Sequence, residues 1–510
     1  MAWGAFSNAS HRHQQEAYAR EARAKAEAVA AFATNPQASG LLGNARTARI
    51  GDLEAAGMCR VGGLYLGALN GRMLFYHGDG HLLTLGRARS GKGRDVILPN
   101  LAHVRGRSLV VNDLKDGENF TVSHEHRRRN ISDRIITLNP WGLHGAPNIR
   151  VNPARVLVEI IEAGGQIDTE ADELALILIP ETGKGEAWPR EGARQILALR
   201  LEYLALFRPE ECRLSALWSF VNAGVDALTA MFNDMIECGH EGIAGRAAAW
   251  FAVFDQAPKQ WEAYRMCVTA AVAPYEPGKQ LALATDGHDV DLGLLKVEPS
   301  TVYLMAPSKK IGAASQWLSL MVNYMVETIA NRVGPLTTTF LLDEFGVMPA
   351  ATAVEKGVKL YAGKGCQFWM LAQGRHSIAS KWPVEMVREF EDQAAVFQTW
   401  GVEDPSLLKD ISTWSGTSSV AVRGFQQSGG VVASGGLGIQ EQKRPVLQVE
   451  DIRAIGEGRQ LLKVAGIPHL VAAERVPFYE VDPWKYQIGD VRTVHKGDDP
   501  ASPESGHVIS

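Results

Sequence analysis

Between residues 80 and 140 the chain carries three short apolar and β-branched runs, His81 to Leu85, Ser108 to Asn112 and Arg134 to Leu138, each bounded by Gly, Pro, Asn or Asp. Such runs, with little polar alternation, are what strands buried on both faces require, and the intervals between them can hold crossover helices. The pattern predicts a parallel sheet. Four more runs of the same kind resume it later: Thr301 to Met305, Thr337 to Leu342, Gln367 to Leu371 and Ala394 to Thr399. Between about 165 and 298 the period changes. There Glu170 to Leu178, Ala193 to Phe207 and Arg246 to Phe254 place apolar residues three and four apart, the spacing of a helix face. A largely helical insertion inside an α/β domain is the economical reading.

The ends read differently. Residues 10–33 are dense in Ala, Glu, Arg and Gln with no wide apolar stripe, which predicts an exposed helical arm. Ser415 to Gly438 is rich in Gly, Ser and Val, the composition of a mobile loop or a twisted hairpin. The last residues are polar, with Pro and Gly, and are expected to be disordered. Gly183-Lys184-Gly185 and Gly278-Lys279 read as turns, since no strand-loop-helix context surrounds them.

Length and composition narrow the picture. With 510 residues the chain exceeds what one hydrophobic core serves, so two or more folded units are expected. A formal net charge of −5 neither supports nor excludes a nucleic-acid partner, because a basic channel can hide inside a negative average. No apolar run approaches the roughly 18 to 20 residues that span a bilayer, and the Ala-rich N-terminal segment is threaded with Arg20, Arg23, Lys25 and Glu27. Without an apolar core behind His11, Arg12 and His13 there is no secretory signal either, and the expected location is cytoplasmic. The five cysteines, Cys59, Cys212, Cys238, Cys267 and Cys366, are dispersed and odd in number, so reduced thiols are expected rather than a disulfide framework or a zinc site.

Chemistry enters at two places. Gly86-Arg87-Ala88-Arg89-Ser90-Gly91-Lys92 follows the run ending at Leu85 and precedes a segment able to open a helix. Glycines there let backbone N–H groups turn inward around a polyanion, the helix N-terminus adds positive potential, and a lysine reaches the terminal phosphates. The second place is Thr338 to Glu344, a β-branched strand ending in Asp343-Glu344. A nucleotidase places one acid in this way for Mg2+ and the other to polarise the attacking water. Hydrolysis, or at least binding, of a nucleoside triphosphate is the expectation. Pro99 falls a few residues into the helix after the loop, where it removes a donor and should kink or end that helix.

The flanking residues resemble the TraG-like family of type IV secretion coupling proteins. Leu41-Leu42-Gly43-Asn44-Ala45-Arg46 and Ala56-Gly57 resemble that family's leading segment, and Arg89-Ser90-Gly91-Lys92-Gly93 with Ile97-Leu98-Pro99-Asn100-Leu101 resembles its loop and following helix. Asp113-Leu114-Lys115-Asp116-Gly117-Glu118-Asn119, Ile179-Pro180-Glu181-Thr182, Asp343-Glu344-Phe345, Leu371-Ala372-Gln373 and Lys443-Arg444-Pro445-Val446-Leu447 follow in the family's order, over roughly residues 41 to 480.

The resemblance implies a RecA-like P-loop ATPase domain with a predominantly parallel sheet, interrupted by an all-α domain. The expected divisions are a helical arm at 1–40, the nucleotide-binding domain at 41–164 and 299–488, the all-α domain at 165–298 and a tail at 489–510. It implies a site in which Gly86, Arg89, Ser90, Gly91, Lys92 and Gly93 hold the nucleotide and Asp343 the Mg2+. Glu344 orients water there and Gln373 senses the γ-phosphate. Implied partners are single-stranded DNA linked to a relaxase, relaxosome proteins or protein effectors, a secretion channel, and further copies in a hexamer. Three departures stand out: there are no N-terminal transmembrane helices, so a separate membrane anchor protein or peripheral attachment at the inner membrane is implied. Gly93 replaces the hydroxyl residue that generic loops offer Mg2+, and Gly346 replaces a frequent Pro after the acidic pair.

Asp95 is the one nearby carboxylate able to replace the lost hydroxyl, although a solvated helix-start acid is the plainer reading. Arg375 and Arg155 are candidates for an arginine supplied to a neighbouring subunit, against solvated surface arginines. Arg127-Arg128-Arg129 and Lys309-Lys310 are candidates for phosphate contact, against solvated charge. Three functions stay open: a ring motor moving DNA or protein, a nucleotide-switched recruitment adaptor without pumping, and a cytosolic DNA translocase of the same superfamily.

Overall fold

The computed structural model of the chain describes residues 19–20, 23, 43–181, 187–350, 352–426 and 436–489. The predicted arm, most of it, the turn at 183–185 and the C-terminal tail lie outside the described residues. The described residues fall into two compact units, the larger within 49–402, 456–468 and 472–489, the smaller within 43–48, 403–455 and 469–471.

Thirteen strands are described: β1 (Leu64–Leu69), β2 (Arg72–Tyr76), β3 (His81–Gly86), β4 (Ser108–Asp113), β5 (Arg134–Leu138), β6 (Ser300–Met305), β7 (Thr338–Leu342), β8 (Cys366–Ala372), β9 (Ala394–Trp400), β10 (Thr417–Gln426), β11 (Gly436–Pro445), β12 (Arg459–Val464) and β13 (Val471–Glu474). Eleven make one sheet in the order β2-β1-β13-β12-β9-β3-β8-β7-β4-β6-β5. From β9 to β5 every pairing is parallel. In β3, β4, β6, β7 and β8 every residue is buried, the signature of a layer covered on both faces. The predicted α/β fold with a mostly parallel sheet is thus present.

The other end of the sheet was not foreseen. β12 joins β9 antiparallel, and β1 pairs antiparallel with both β2 and β13. The helix following the phosphate loop holds this end in place through Asn100. Its buried amide accepts from Tyr65 N–H at 2.8 Å and donates to Tyr65 O at 3.1 Å, substituting for a strand partner of β1.

Between β5 and β6 the chain is helical, including Arg155–Glu162, Asp168–Leu178, Trp188–Phe207, Glu241–Gln256 and Pro258–Val272. Its aromatic core packs Phe232 against Phe220 and Trp261, with ring centres 5.6 and 5.8 Å apart. Arg200, buried beside them, lies over the Tyr203 and Phe220 rings at 5.3 and 5.1 Å, where ring faces replace part of its lost hydration.

In the smaller unit, β10 and β11 form an antiparallel hairpin in register from Thr417↔Pro445 to Gln426↔Gly436. The Gly/Ser/Val stretch is therefore the twisted-hairpin alternative where it is described. Helix Pro405–Trp414, capped by Asp404 on Ser406 N–H at 2.9 Å, precedes it. All five cysteines are unpaired. Among the described residues no helix is long and apolar enough to cross a membrane.

Candidate functional site at the carboxyl edge of the sheet

Four neighbouring parallel strands, β3, β8, β7 and β4, end side by side, and each delivers one piece of the candidate site. Open α/β sheets bind ligands at this edge, where helix N-termini and loops replace strand hydrogen bonding. β3 is anchored beneath it by a buried polar chain: Trp369 Nε1 donates to Thr84 Oγ1 at 2.8 Å, which donates to Gln398 Oε1 at 2.7 Å.

Beyond Gly86 the loop turns through Arg89 at φ 57° and Gly91 at φ 98°. A Cβ on Gly91 would meet Asp95 Oδ2 at 2.7 Å, so this position requires glycine. Ser90 donates to Arg87 O at 2.5 Å and accepts from Trp400 Nε1 at 2.8 Å. Lys92 is 4% exposed and its Nζ donates to Gly86 O at 2.9 Å, folded back along the loop. Burial lowers its pKa from the ordinary lysine value, against the pull of Glu344 and Asp343. Around Gly93 nothing lies within 4 Å of where a Cβ would stand.

The segment Gly93–Ile97 is a π-helical turn, in which Leu98 N–H reaches Gly93 O, and the α-helix Leu98–His103 follows with Pro99 in its first turn. The expected kink is thereby realised as a wide turn, which tolerates a residue without an N–H.

Asp95 corrects the sequence reading. It is 3% exposed and clasped by Arg94 (Nε at 2.5 Å, Nη2 at 2.9 Å) and by Arg475 Nη1 at 2.9 Å, so it is neither solvated nor available as a cation ligand. Arg475 also donates to Ser90 O and sits 4.7 Å from the centre of the Trp400 ring. This brace on the phosphate loop had no local signal, since Arg475 comes from far along the chain.

At the end of β7, Asp343 is 3% exposed; Glu344 follows at φ 52°, a left-handed conformation for a non-glycine residue. Such strain costs about 1–3 kcal/mol and clusters at functional sites. Glu344 N–H donates to Asp343 Oδ1 at 2.9 Å. From the end of β8, Gln373 Nε2 donates to Glu344 Oε2 at 3.1 Å. Gly346, past the acidic pair, lies under the backbone of Ser377, whose carbonyl oxygen would stand 2.6 Å from a Cβ there.

The turn after β4 supplies Lys115, to which the sequence reading assigned no role. Lys115 Nζ donates to Asp343 Oδ2 at 2.9 Å and lies 3.9 Å from Glu344 Oε1. Burial works against its ammonium, yet Asp343, Glu344 and Glu118 together raise its pKa above the ordinary lysine value. Asp113 beside it is fully buried and accepts from Phe120 N–H at 2.8 Å and Asn119 N–H at 3.3 Å; burial pushes its carboxyl up to about 7.

The structure thus brings Asp343, Glu344 and Gln373 into direct or shared hydrogen bonding, with Lys92 in electrostatic reach of both acids. The donor set fits Mg2+ and a nucleotide triphosphate: a buried carboxylate oxygen already facing an ammonium group, a glycine-bearing loop, and open space at Gly93 for phosphate or water oxygens.

Other candidates go elsewhere. Arg375 makes a bidentate pair with buried Glu391 at 2.6 and 2.8 Å, so it is not the solvated arginine expected, while Arg155 pairs with Glu162 at 2.8 Å on the surface. Arg127 is 0% exposed and bonded to Asp133, Thr301, Leu101 and Val104, while Arg128 and Arg129 pair with Glu125. Lys310 donates to Gln280 at 3.2 Å.

Comparison with known proteins adds three findings. The family model described as Type IV secretory system Conjugative DNA transfer matches residues 46–496. Protein VirD4 of Rhizobium rhizogenes is 21% identical over 453 residues, covering 84% of this chain and 64% of VirD4. Conjugal transfer protein TraG of Escherichia coli is 21% identical over 387 residues, covering 67% of this chain and 59% of TraG. The chain therefore spans less than two thirds of the length of these relatives. Among solved structures, plasmid coupling protein TrwB in complex with ADP and Mg2+ superposes with a TM-score of 0.61 at 14% identity, covering 85% of this chain and 93% of that one. Unbound TrwB gives 0.62. At that identity the likeness shows the fold.

Proposed function

This chain belongs to the type IV secretory system conjugative DNA transfer family, and on that premise we propose that it is an ATPase that delivers DNA or protein cargo to a secretion channel. The observation that carries the proposal is the convergence of Lys92, Asp343, Glu344 and Gln373 at the ends of three adjacent strands. TrwB, which shares the fold, has been solved with ADP and Mg2+ and with a non-hydrolysable ATP analogue.

In this reading the amides of Arg89 to Gly93 and the ammonium of Lys92 bind the phosphates, with Lys92 leaving Gly86 O to do so. Asp343 would hold Mg2+, which when bound would neutralise charge on the phosphate oxygens. Glu344 orients the attacking water and takes up its proton. Gln373, already on Glu344, reports the occupancy of the site to the chain following β8. Phosphoryl transfer needs positioning and charge stabilisation more than covalent chemistry, and these residues supply both.

Oligomerisation would complete the site between subunits, in a six-membered ring, with an arginine other than Arg375, which buried Glu391 holds. The helical block at 165–298 is proposed for cargo recognition, with relaxase-linked single-stranded DNA or a protein effector as cargo. The proposed place of action is the cytoplasmic side of the inner membrane.

The test is steady-state ATP hydrolysis with and without single-stranded DNA, alongside Lys92→Ala and Glu344→Gln, with oligomeric state measured by light scattering. DNA-stimulated turnover lost in both variants, from a higher oligomer, is the expected result. A chain that binds nucleotide but never turns over faster than Glu344→Gln would sink the motor and leave a nucleotide-switched adaptor.

A further inference from the structure

We infer that Lys115 is a resident cation on Asp343 that must withdraw before a divalent cation can be held there. The inference rests on the reading above only in taking Asp343 as the metal-holding carboxylate.

A carboxylate as buried as Asp343 requires partners for its charge. Its Oδ1 is taken by the Glu344 N–H, and its Oδ2 faces Lys115 Nζ at 2.9 Å, in the place any incoming cation must share. The two sides of this pair are unequal. The Asp343 side chain is 5% exposed, whereas that of Lys115 is 43% exposed on a flexible four-carbon stem, so the ammonium can be rehydrated while the carboxylate cannot.

The backbone beneath Lys115 is held on both flanks. Asp113 caps the helix Glu118–His126 through Phe120 N–H. Asp116 accepts from Ser308 N–H at 3.1 Å and Ser308 Oγ at 2.8 Å, and its carbonyl accepts from the His144 ring at 2.5 Å. Movement of Lys115 is therefore movement of its side chain alone. Nor does the phosphate loop compete for the cation, since Gly93 carries no hydroxyl and the space around it is open. Metal occupancy is then set by a contest at one carboxylate, between a tethered ammonium and a divalent ion. That contest would keep the site from loading metal before nucleotide, because phosphates offer the released ammonium a second anion to bind.

The experiment uses Mn2+ alone as probe, titrated into the nucleotide-free full chain and followed by electron paramagnetic resonance. Wild type, Lys115→Met, Lys115→Arg and Asp343→Asn are compared. Lys115→Met is expected to lower half-saturating Mn2+ about tenfold, the change expected for removing a competing charged hydrogen bond, while Lys115→Arg stays near wild type and Asp343→Asn loses the site. A parallel titration of Mg2+ against binding of a fluorescent ADP analogue should show the same fall. Half-saturating Mn2+ unchanged or raised in Lys115→Met overturns the inference, as does Mn2+ binding that survives Asp343→Asn. A wild type that shows this Mn2+ pattern yet binds no nucleotide would remove the ATPase reading and leave the contest at Asp343 standing.

Discussion

The two edges of the parallel sheet use the same chemistry to opposite ends. At the amino edge, Arg127 meets Asp133 with side chains 0% and 1% exposed. The remaining donors of that guanidinium go to Thr301 Oγ1 at 2.6 Å, Leu101 O at 2.9 Å and Val104 O at 3.3 Å. At the carboxyl edge Lys115 meets Asp343, but the lysine side chain is 43% exposed, and three nearby non-glycine residues, Arg89, Asp116 and Glu344, hold left-handed backbones. One pair is closed to solvent, the other is partly open to it. A buried pair of the first kind specifies the fold, because breaking it strands a charge. A pair of the second kind can exchange partners, which a binding site requires.

This contrast can be broken or sharpened in four ways. The largest effect belongs to the carboxyl edge: Glu344→Gln should slow ATP hydrolysis about 10²–10⁴-fold, the usual loss of a proton-handling group, with nucleotide affinity retained, while Lys92→Ala loses binding itself. Neither should move the thermal midpoint appreciably, which calorimetry on the same samples checks. At the amino edge the order reverses. Arg127→Met should cost about 3–5 kcal/mol in urea unfolding by leaving Asp133 buried without its partner. Asp343→Asn should cost far less; equal costs would erase the distinction.

The third test is pH. Glu327, on the helix Ile311–Asn331 that runs back toward the start of β7, is 6% exposed, and its Oε1 has no hydrogen-bond partner among the described residues. Burial pushes its carboxyl from 4.5 up to about 7, with Lys356 opposing and Glu173 adding. Because the folded value is the higher one, folding takes up a proton, so this contribution is complete below 4.5 and is lost as pH rises through about 7. Glu327→Gln should remove that slope and be more stable than wild type at pH 8 by about 1–3 kcal/mol. Identical unfolding curves from pH 5 to 8 would contradict it. The smallest effect is at Gly93, where the open surroundings admit a side chain. Gly93→Ser should gain about 0.5 kcal/mol from helix propensity and lower the Mg2+ needed for nucleotide binding.

The central strands were legible because a strand buried on both faces must be apolar throughout. Arg134 to Leu138 falls on β5 itself, and Gln367 to Leu371 lies inside β8. The antiparallel end was not, since Gly67 interrupts β1, and β12 carries Arg459 and Lys463. At the site, the loop and the acidic pair announced themselves through residue type and context. Asp95 was misread because its local setting is that of any helix-start acid, and the arginine that buries it lies 380 residues away. Arg127 was grouped with Arg128 and Arg129 because adjacency in sequence says nothing of which side chain turns inward.

By itself, then, the sequence determined the sheet's parallel core, the glycine-bearing loop after β3 and the carboxylates after β7, since each rests on the polarity and conformational freedom of contiguous residues. Only the tertiary structure decided which charges are spent on the fold and which stay available. Lys115 comes to Asp343 from 228 residues away, and Arg475 to Asp95 from further still. The value of a charge depends on what surrounds it in space, and a parallel sheet assembles those surroundings from strands remote in sequence.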